Sequence, residues 1–428
     1  MKVIVVGGGL AGCAAAVRLA AEGRQVTLLE RHPRLGGKAG GFRSAMAGGR
    51  WLDNGQHVAT KACTALRAFF SEIGMAGAIR WQERLRIPFA APGGKSAVLS
   101  RWDLPAPAHL LPALAGFDLL PLGERLGLKR VLDAAKAGGP ETSTFLSWLT
   151  AQGQGELAVR RLWDPLVLAV CNASAAEISA RTGAWVIRTG MLETADALDL
   201  GIPAVPLTEM TDPPVRRFLA GHSGGQVRTG EQVEGLIRKD GRAAGVRLRS
   251  GEELAAEGVV LAVDWAALPA ILDVDLGKDL KPGAILSVIL RLDREVLPEG
   301  EDCPFVGLVD QPAQWVFAKG DGILSLVFSG ANILAAKPTA DILGLAESSL
   351  RICLPRMEGA RILDAVVMRE KRATFLPAPG AEDLRPSAGA PGIPGLALAG
   401  AWTAVEGGWP ATMEGAVRSG NAAAALLL

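Results

Sequence analysis

At 428 residues the chain is long enough for two or more domains and a large buried core. Its 45 basic and 44 acidic side chains nearly cancel, and no run of five like charges occurs, which excludes a broad basic surface for nucleic acid. The mean hydropathy of +0.25 lies at the apolar end for a soluble protein, yet no stretch reaches the ~20 uninterrupted apolar residues that span a bilayer.

Residues 3–6 are a β-branched apolar run, the pattern of a parallel strand buried on both faces. Gly7, Gly8 and Gly9 end it, and Leu10, Ala11 and Gly12 open a helix of small residues that closes at Gly23. Lys2 alone is too little basic character for a signal peptide, and the glycines fall where a turn belongs. In this strand–turn–helix, Gly7 makes the turn, Gly9 admits a pyrophosphate to the backbone, and Gly12 lets helix and strand pack closely. The helix N-terminus adds free N–H donors and partial positive charge. A second strand, 26–29, ends at Glu30, placed for the adenosine ribose hydroxyls and against a 2′-phosphate. Arg31 follows it. The segment Arg34-Leu35-Gly36-Gly37-Lys38 then sets two flexible glycines between cations, enough to wrap a pyrophosphate and ribityl chain.

Further along, 144–149 and 157–170 read as helices. The blocks 226–228, 233–238 and 244–248 read as short antiparallel strands, around Asp240-Gly241 and Ser250-Gly251 turns, returning to a buried one at 259–263. Strands are also expected at 285–292, 305–309, 315–318, 323–328 and 396–399. A helix is expected to open at Pro410, where the missing N–H does no harm. Cys13, Cys63, Cys171, Cys303 and Cys353 are scattered and odd in number, so neither a disulfide framework nor a metal site is indicated, and a reducing cytoplasm fits. The sequence holds no tyrosine, so proton chemistry must use other groups.

The glycine pair with its basic neighbour resembles the amine oxidase and phytoene desaturase superfamily of flavoproteins. That resemblance implies FAD as cofactor, and an α/β fold in which a Rossmann-type FAD-binding domain carries an inserted α+β substrate domain. It implies FAD contacts from Gly7, Gly9, Leu10, Ala11, Gly12, Glu30, Arg31, Arg34, Gly36, Gly37 and Lys38. It adds an adenine contact from the Val233 backbone, a turn at Gly400, and a helix N-terminus at Thr412 and Met413 facing the flavin pyrimidine. Members usually have an acid after the glycine matching Gly400; here it is Ala401. The FAD domain is then discontinuous, over 1–75, 206–275 and 365–428, with 76–205 and 276–364 forming the substrate domain.

Leu52-Asp53-Asn54-Gly55-Gln56-His57, Leu162-Trp163-Asp164-Pro165-Leu166 and the segment 410–420 resemble, more narrowly, the hydroxysqualene dehydroxylases of hopanoid biosynthesis. The resemblance implies a long-chain isoprenoid substrate and hydride delivery from reduced FAD as the hydroxyl leaves as water. A poor leaving group needs an acid, and Asp53 and His57 are the candidates. Asp53 as a helix cap and His57 as a hydrogen-bonded interior residue are the competing readings. Trp51, Trp163, Trp402 and Trp409 could face a developing cation or simply pack in cores. Residues 104–128 interleave leucines with Arg125, Lys129 and Arg130, either docking on a membrane from the cytoplasm or forming a buried helical pair. Only one dinucleotide fingerprint is present, so the electron donor is unknown from sequence. The same scaffold also serves carotenoid desaturases or isomerases, amine oxidases and non-catalytic escort proteins.

Overall fold

The computed structural model describes residues 1–222, 224–297 and 304–428; Cys303 lies outside them. Its first layer is a five-stranded sheet in the order Gln226–Thr229, Gln25–Glu30, Lys2–Val6, Gly258–Leu261, Leu396–Leu398. Every pairing in it is parallel. Val3, Ile4 and Val5 are wholly buried because both faces are covered, which is why their run does not alternate. The strand Gln226–Thr229 is a correction to the sequence reading: it joins this parallel sheet beside Gln25–Glu30 rather than an antiparallel one.

One face carries the helices Leu10–Ala21 and Met413–Ala425, whose backbones touch: a Cβ on Gly420 would sit 2.1 Å from the Ala11 carbonyl oxygen. The other face is covered by an antiparallel sheet of Val233–Lys239, Arg242–Leu248 and Glu253–Ala255, whose Val246 and Leu248 pack on Ile4, Val6 and Leu29. Pro410 does not open the C-terminal helix. Thr412 is its N-cap, accepting from Gly415 N–H at 3.0 Å, since a side-chain oxygen satisfies a first-turn donor that proline only lacks.

The second unit is a seven-stranded sheet in the order Ile362–Phe375, Pro282–Leu292, Ile323–Phe328, Trp315–Ala318, Phe305–Leu308, Arg86–Ala91, Lys95–Ser100. A boundary at 365 would cut Ile362–Phe375, which pairs with Pro282–Leu292 along its length, so the chain leaves this sheet only after Phe375. Alternation divides the sheet. Leu286, Val288, Leu290, Val316, Leu324 and Leu326 face the helix Thr339–Cys353 through Ile342, Ala346 and Leu350. The opposite face presents Ile285, Ser287, Trp315 and Phe317, and Ile285, Trp315 and Phe317 cluster with Val58, Ile87, Leu200 and Ile202. A helical block closes the side, including Phe145–Ala151, capped by Thr144, and 156–171, which contains a π turn at Val159–Trp163.

Candidate functional site

The glycines behave differently from one another. A Cβ on Gly7 would meet the Ala262 carbonyl oxygen at 2.3 Å, and one on Gly12 would meet the Gly7 oxygen at 1.9 Å, so both serve close packing. A Cβ on Gly9 would have only Gly37 Cα near it, at 4.0 Å. Gly9 therefore faces open space at the start of the helix Leu10–Ala21, whose first turn no side chain caps. Gly36 donates to the Gly8 carbonyl at 2.8 Å and bridges Gly9, which lays the second glycine turn beside the first. Gly36 and Gly37 both take positive φ, as the reading of a wrapping loop requires.

Glu30 is buried at the same edge. Its Oε2 accepts from Gly8 N–H at 2.7 Å and its Oε1 from His32 N–H at 2.8 Å, leaving each oxygen a lone pair for a further donor. Glu231 N–H donates to the Glu30 carbonyl, which brings the start of Val233–Lys239 to this end of the sheet. Arg34 is half-buried there and makes no hydrogen bond or ion pair among the described residues. Arg31 is exposed and turned to His32. Lys38 is engaged elsewhere, 2.9 Å from Asp264 and over the Trp265 ring.

At the far end, Gly400 has φ +147° and its Cβ direction is filled by Trp402 Nε1 at 2.4 Å. Ala401 is half-buried and offers no carboxylate. Thr412 spends its hydroxyl on Gly415, leaving the N–H groups of Met413 and Glu414 free of side-chain caps. Glu414, fully buried, instead accepts from the N–H groups of Ala65 and Leu66 at the start of the helix Thr64–Glu72.

Residues 53–57 cross between the two sheets, with a Cβ on Gly55 falling 3.2 Å from Ser287 Oγ. Asp53 Oδ1 accepts from Leu207 N–H at 2.9 Å, at the start of the helix Leu207–Ala220, so its capping role is real. Burial pushes the Asp53 carboxyl above its usual range, opposed by the charge of Lys319. Burial and the same lysine push His57 down to about 4, so its imidazole is neutral at pH 7; the nearby Gly55 carbonyl offsets this only in part. Lys319 is pushed below its usual value by burial, with Asp53 pulling the other way. Three atoms in this segment are buried without a hydrogen-bond partner among the described residues: Asn54 Oδ1, Gln56 Oε1 and His57 Nδ1. Val58, next in the chain, packs against an apolar wall of Phe305, Phe317 and Val327. Trp315 belongs to the same wall, and its Nε1 is also unpartnered.

The structure thus gathers the glycine turns with Glu30, Arg34 and Val233 at one edge, and Asp53 with His57 at the sheet-to-sheet junction. It does not bring the four tryptophans singled out from sequence to that junction. Trp163 donates to Gln154, Trp402 to the Val263 carbonyl, Trp409 packs edge-on to Trp185, and Trp51 lies under Arg43. Ser287, Trp315 and Lys319 were missed. Their signal was phase: Trp315, Phe317 and Lys319 alternate along one side of a strand, so a lysine falls in register with two aromatic rings.

The chain was compared with known proteins. The family model for flavin containing amine oxidoreductases matches residues 10–428. The chain belongs to that family. Among curated relatives, hydroxysqualene dehydroxylase of Rhodopseudomonas palustris is 29% identical, over 99% of this chain and 97% of the relative. The enzyme of the same name from Sinorhizobium fredii is 28% identical, over 100% and 98%. Among solved structures, an oxidoreductase from Methanosarcina mazei superposes with a TM-score of 0.74 at 18% identity, covering 98% of this chain and 99% of that one, a likeness of fold. The protein is an FAD-dependent oxidoreductase with an α/β FAD-binding unit and a sheet-rich substrate unit.

The residues fit FAD. Gly9 leaves the approach to an uncapped helix end open, Arg34 is a half-buried cation without a partner among the described residues, and the Glu30 carboxylate is held with acceptor capacity to spare.

Proposed function

We propose that this enzyme reduces hydroxysqualene to squalene with loss of water, a step of hopanoid biosynthesis. The observation that carries the reading is the cluster of unpartnered buried atoms at Asn54, Gln56 and His57 against an apolar aromatic wall. A buried polar atom without a partner costs about 1–3 kcal/mol, and a hydrocarbon bearing one hydroxyl meets that cost while the rest of it lies on the wall. An ammonium substrate fits poorly beside the Lys319 charge, and a plain hydrocarbon leaves the polar atoms unsatisfied.

In this reading the turns at Gly7, Gly9, Gly12, Gly36 and Gly37 hold the pyrophosphate with Leu10, Ala11 and Arg34. Glu30 and Arg31 meet the adenosine ribose, and the Val233 backbone meets adenine. Lys38, fixed by Asp264, closes the loop. Gly400, Thr412 and Met413 present backbone at the flavin end, where the C-terminal helix favours negative charge. Bound there in its reduced form, FAD would supply the hydride that the allylic carbon needs. The wall of Trp315, Phe305 and Phe317 keeps water from the developing cation.

Supply of such a substrate from a bilayer fits the surface. No described helix is long and apolar enough to cross a membrane. Leu122 and Leu126, one turn apart on the helix Leu122–Lys136, are 62% and 72% exposed, with Trp102, Leu104 and Leu111 exposed nearby in sequence. Arg130 and Lys129 are exposed beside them, Lys129 sharing its charge with Asp133, while Arg125 is turned to Asp118 and the Ala115 carbonyl; we assign this face to an anionic lipid surface on the cytoplasmic side.

The test is anaerobic mixing of photoreduced enzyme with hydroxysqualene. One oxidised flavin and one squalene per site are expected. Flavin that stays reduced while oxidised enzyme accepts electrons from a carotenoid precursor would overturn the reading in favour of a desaturase.

A further inference from the structure

Lys319 directly follows the strand Trp315–Ala318, and its N–H donates to the Ile323 carbonyl at 2.8 Å, which continues the pairing by one residue. Counting along the strand puts it on the same side as Trp315 and Phe317, the side that faces residues 53–57. Its ammonium forms no hydrogen bond or ion pair among the described residues, although Asp53 and His57 are both near enough to feel its charge. The other charges around it are engaged: Arg291, across Ile323, reaches the Met46 carbonyl, and Arg50 pairs with Asp321 in the turn. Glu209 acts on Asp53 from the helix beyond.

Neither sequence candidate is the better proton donor to a leaving hydroxyl. Asp53 has one oxygen tied to Leu207 N–H, a bond that with the Lys319 charge opposes the protonation its burial favours, and His57 carries no acidic proton at neutral pH. We propose that Lys319 is the general acid, donating a proton from Nζ to the departing hydroxyl while Asn54 and Gln56 orient it. This rests on the dehydroxylase reading. In the step, the carbon–oxygen bond breaks and its electron pair, with the Lys319 proton, leaves as water. The carbon takes a hydride, and with it two electrons, from reduced flavin, so the flavin ends oxidised and Lys319 neutral until solvent reprotonates it. A desolvated ammonium suits this task because it holds its proton at neutral pH yet releases it more readily than an exposed lysine.

The experiment compares wild type, Lys319→Met and Lys319→Arg as FAD-loaded enzymes, by anaerobic flavin reoxidation with hydroxysqualene and with its acetate ester, whose leaving group needs no proton. Lys319→Met is expected to slow reoxidation by hydroxysqualene about 10²–10³-fold, within the range of general acid catalysis, and to recover most of the rate with the ester. Lys319→Arg, whose charge is kept but whose proton is not released, is expected to be slow in the same way. The wild-type rate is expected to fall as pH rises through the lowered Lys319 value, and the Met variant to lose that limb. A binding readout accompanies these: quenching of tryptophan fluorescence by hydroxysqualene and by squalene, with the preference for the alcohol reduced in the Met variant. Equal rates for wild type and Lys319→Met, a fast Arg variant, or a Met defect as large with the ester would overturn the assignment. A wild-type enzyme inert to both substrates would instead overturn the dehydroxylase reading.

Discussion

The two halves of this molecule encode recognition by opposite means. In the parallel-sheet half the decisive positions are those without side chains: Gly7, Gly12 and Gly420 permit backbone contacts that any Cβ would block. In the seven-stranded half they are the side chains themselves: Ser287 lies beside Gly55, Trp315 shares a cluster with Val58, and the Lys319 charge acts on His57, with Gly55, Val58 and His57 all coming from a distant loop. A cofactor with constant phosphates is met by constant backbone. Under the proposed reading, a mostly apolar substrate with one polar group is met by a wall with a few placed heteroatoms.

The sharpest test lies within the first half. Gly12→Ala forces a carbon to 1.9 Å from the Gly7 oxygen, a backbone atom that no rotamer change can move aside. The cost should reach or exceed the ~3 kcal/mol upper end of ordinary overpacking, so little folded protein is expected by soluble yield and circular dichroism. Gly9→Ala adds its carbon in open space. That variant should fold with a near-normal thermal midpoint in the absence of cofactor and yet retain no FAD on gel filtration. If both variants unfold, or both keep FAD, the division between packing and cofactor glycines fails.

In the second half the largest effect concerns His57 and pH. Its native value is pushed down to about 4 from an ordinary 6.5. Above pH 6.5 neither state is protonated and the residue contributes no pH dependence. Below it the unfolded chain takes up a proton that the native state refuses, so stability falls with pH until about 4 and then levels. The span corresponds to at most about 3 kcal/mol, less for partial exposure. Thermal midpoints at fixed FAD concentration should show His57→Gln losing less stability than wild type between pH 6.5 and 4. Parallel curves would mean that His57 is protonated in the native state.

Asp53 tests whether the loop is held by structure or chemistry. Asp53→Ala removes the acceptor for Leu207 N–H and should cost about 1–2 kcal/mol in the thermal midpoint, as loss of a helix cap does, with Asp53→Asn recovering part of it. A substantially slower single-turnover reaction in Asp53→Asn at unchanged stability and FAD content would restore the carboxyl as the acid.

The parallel half was legible because its signals are local: a strand, glycines and a helix within 21 residues, and an acid at Glu30. The sequence reading nevertheless took 226–228 as antiparallel, because a four-residue strand carries no mark of its partner's direction, which tertiary pairing with Gln25–Glu30 decides. Pro410 misled for a related reason: its fixed φ suits a helix start, but Thr412 two residues on offers a better cap. The junction was legible only by half. Residues 53–57 stood out as a motif, whereas Lys319 lies more than 250 residues away and becomes informative only once its strand is paired and its side of the sheet known. The tryptophans drew attention by type, yet Trp163 and Trp402 have their N–H groups satisfied inside cores, where a large ring stabilises most.

The smallest stability effect falls on the surface, where it separates packing from docking. The helix Leu122–Lys136 buries Leu128, Val131, Leu132 and Ala135, which anchor it, while Leu122 and Leu126 point away. Replacing both exposed leucines by serine removes no buried contact, so the thermal midpoint should move by no more than the ~0.5 kcal/mol usual for surface substitutions. Vesicles containing anionic lipid should nevertheless co-float less of the double variant than of wild type, because two leucines removed from the bilayer forfeit roughly 1.5–3 kcal/mol each if they insert fully. Equal flotation would detach these leucines from membrane contact. A large loss of stability would mean that they pack against this protein rather than against lipid, and the helix would then belong wholly to the substrate unit.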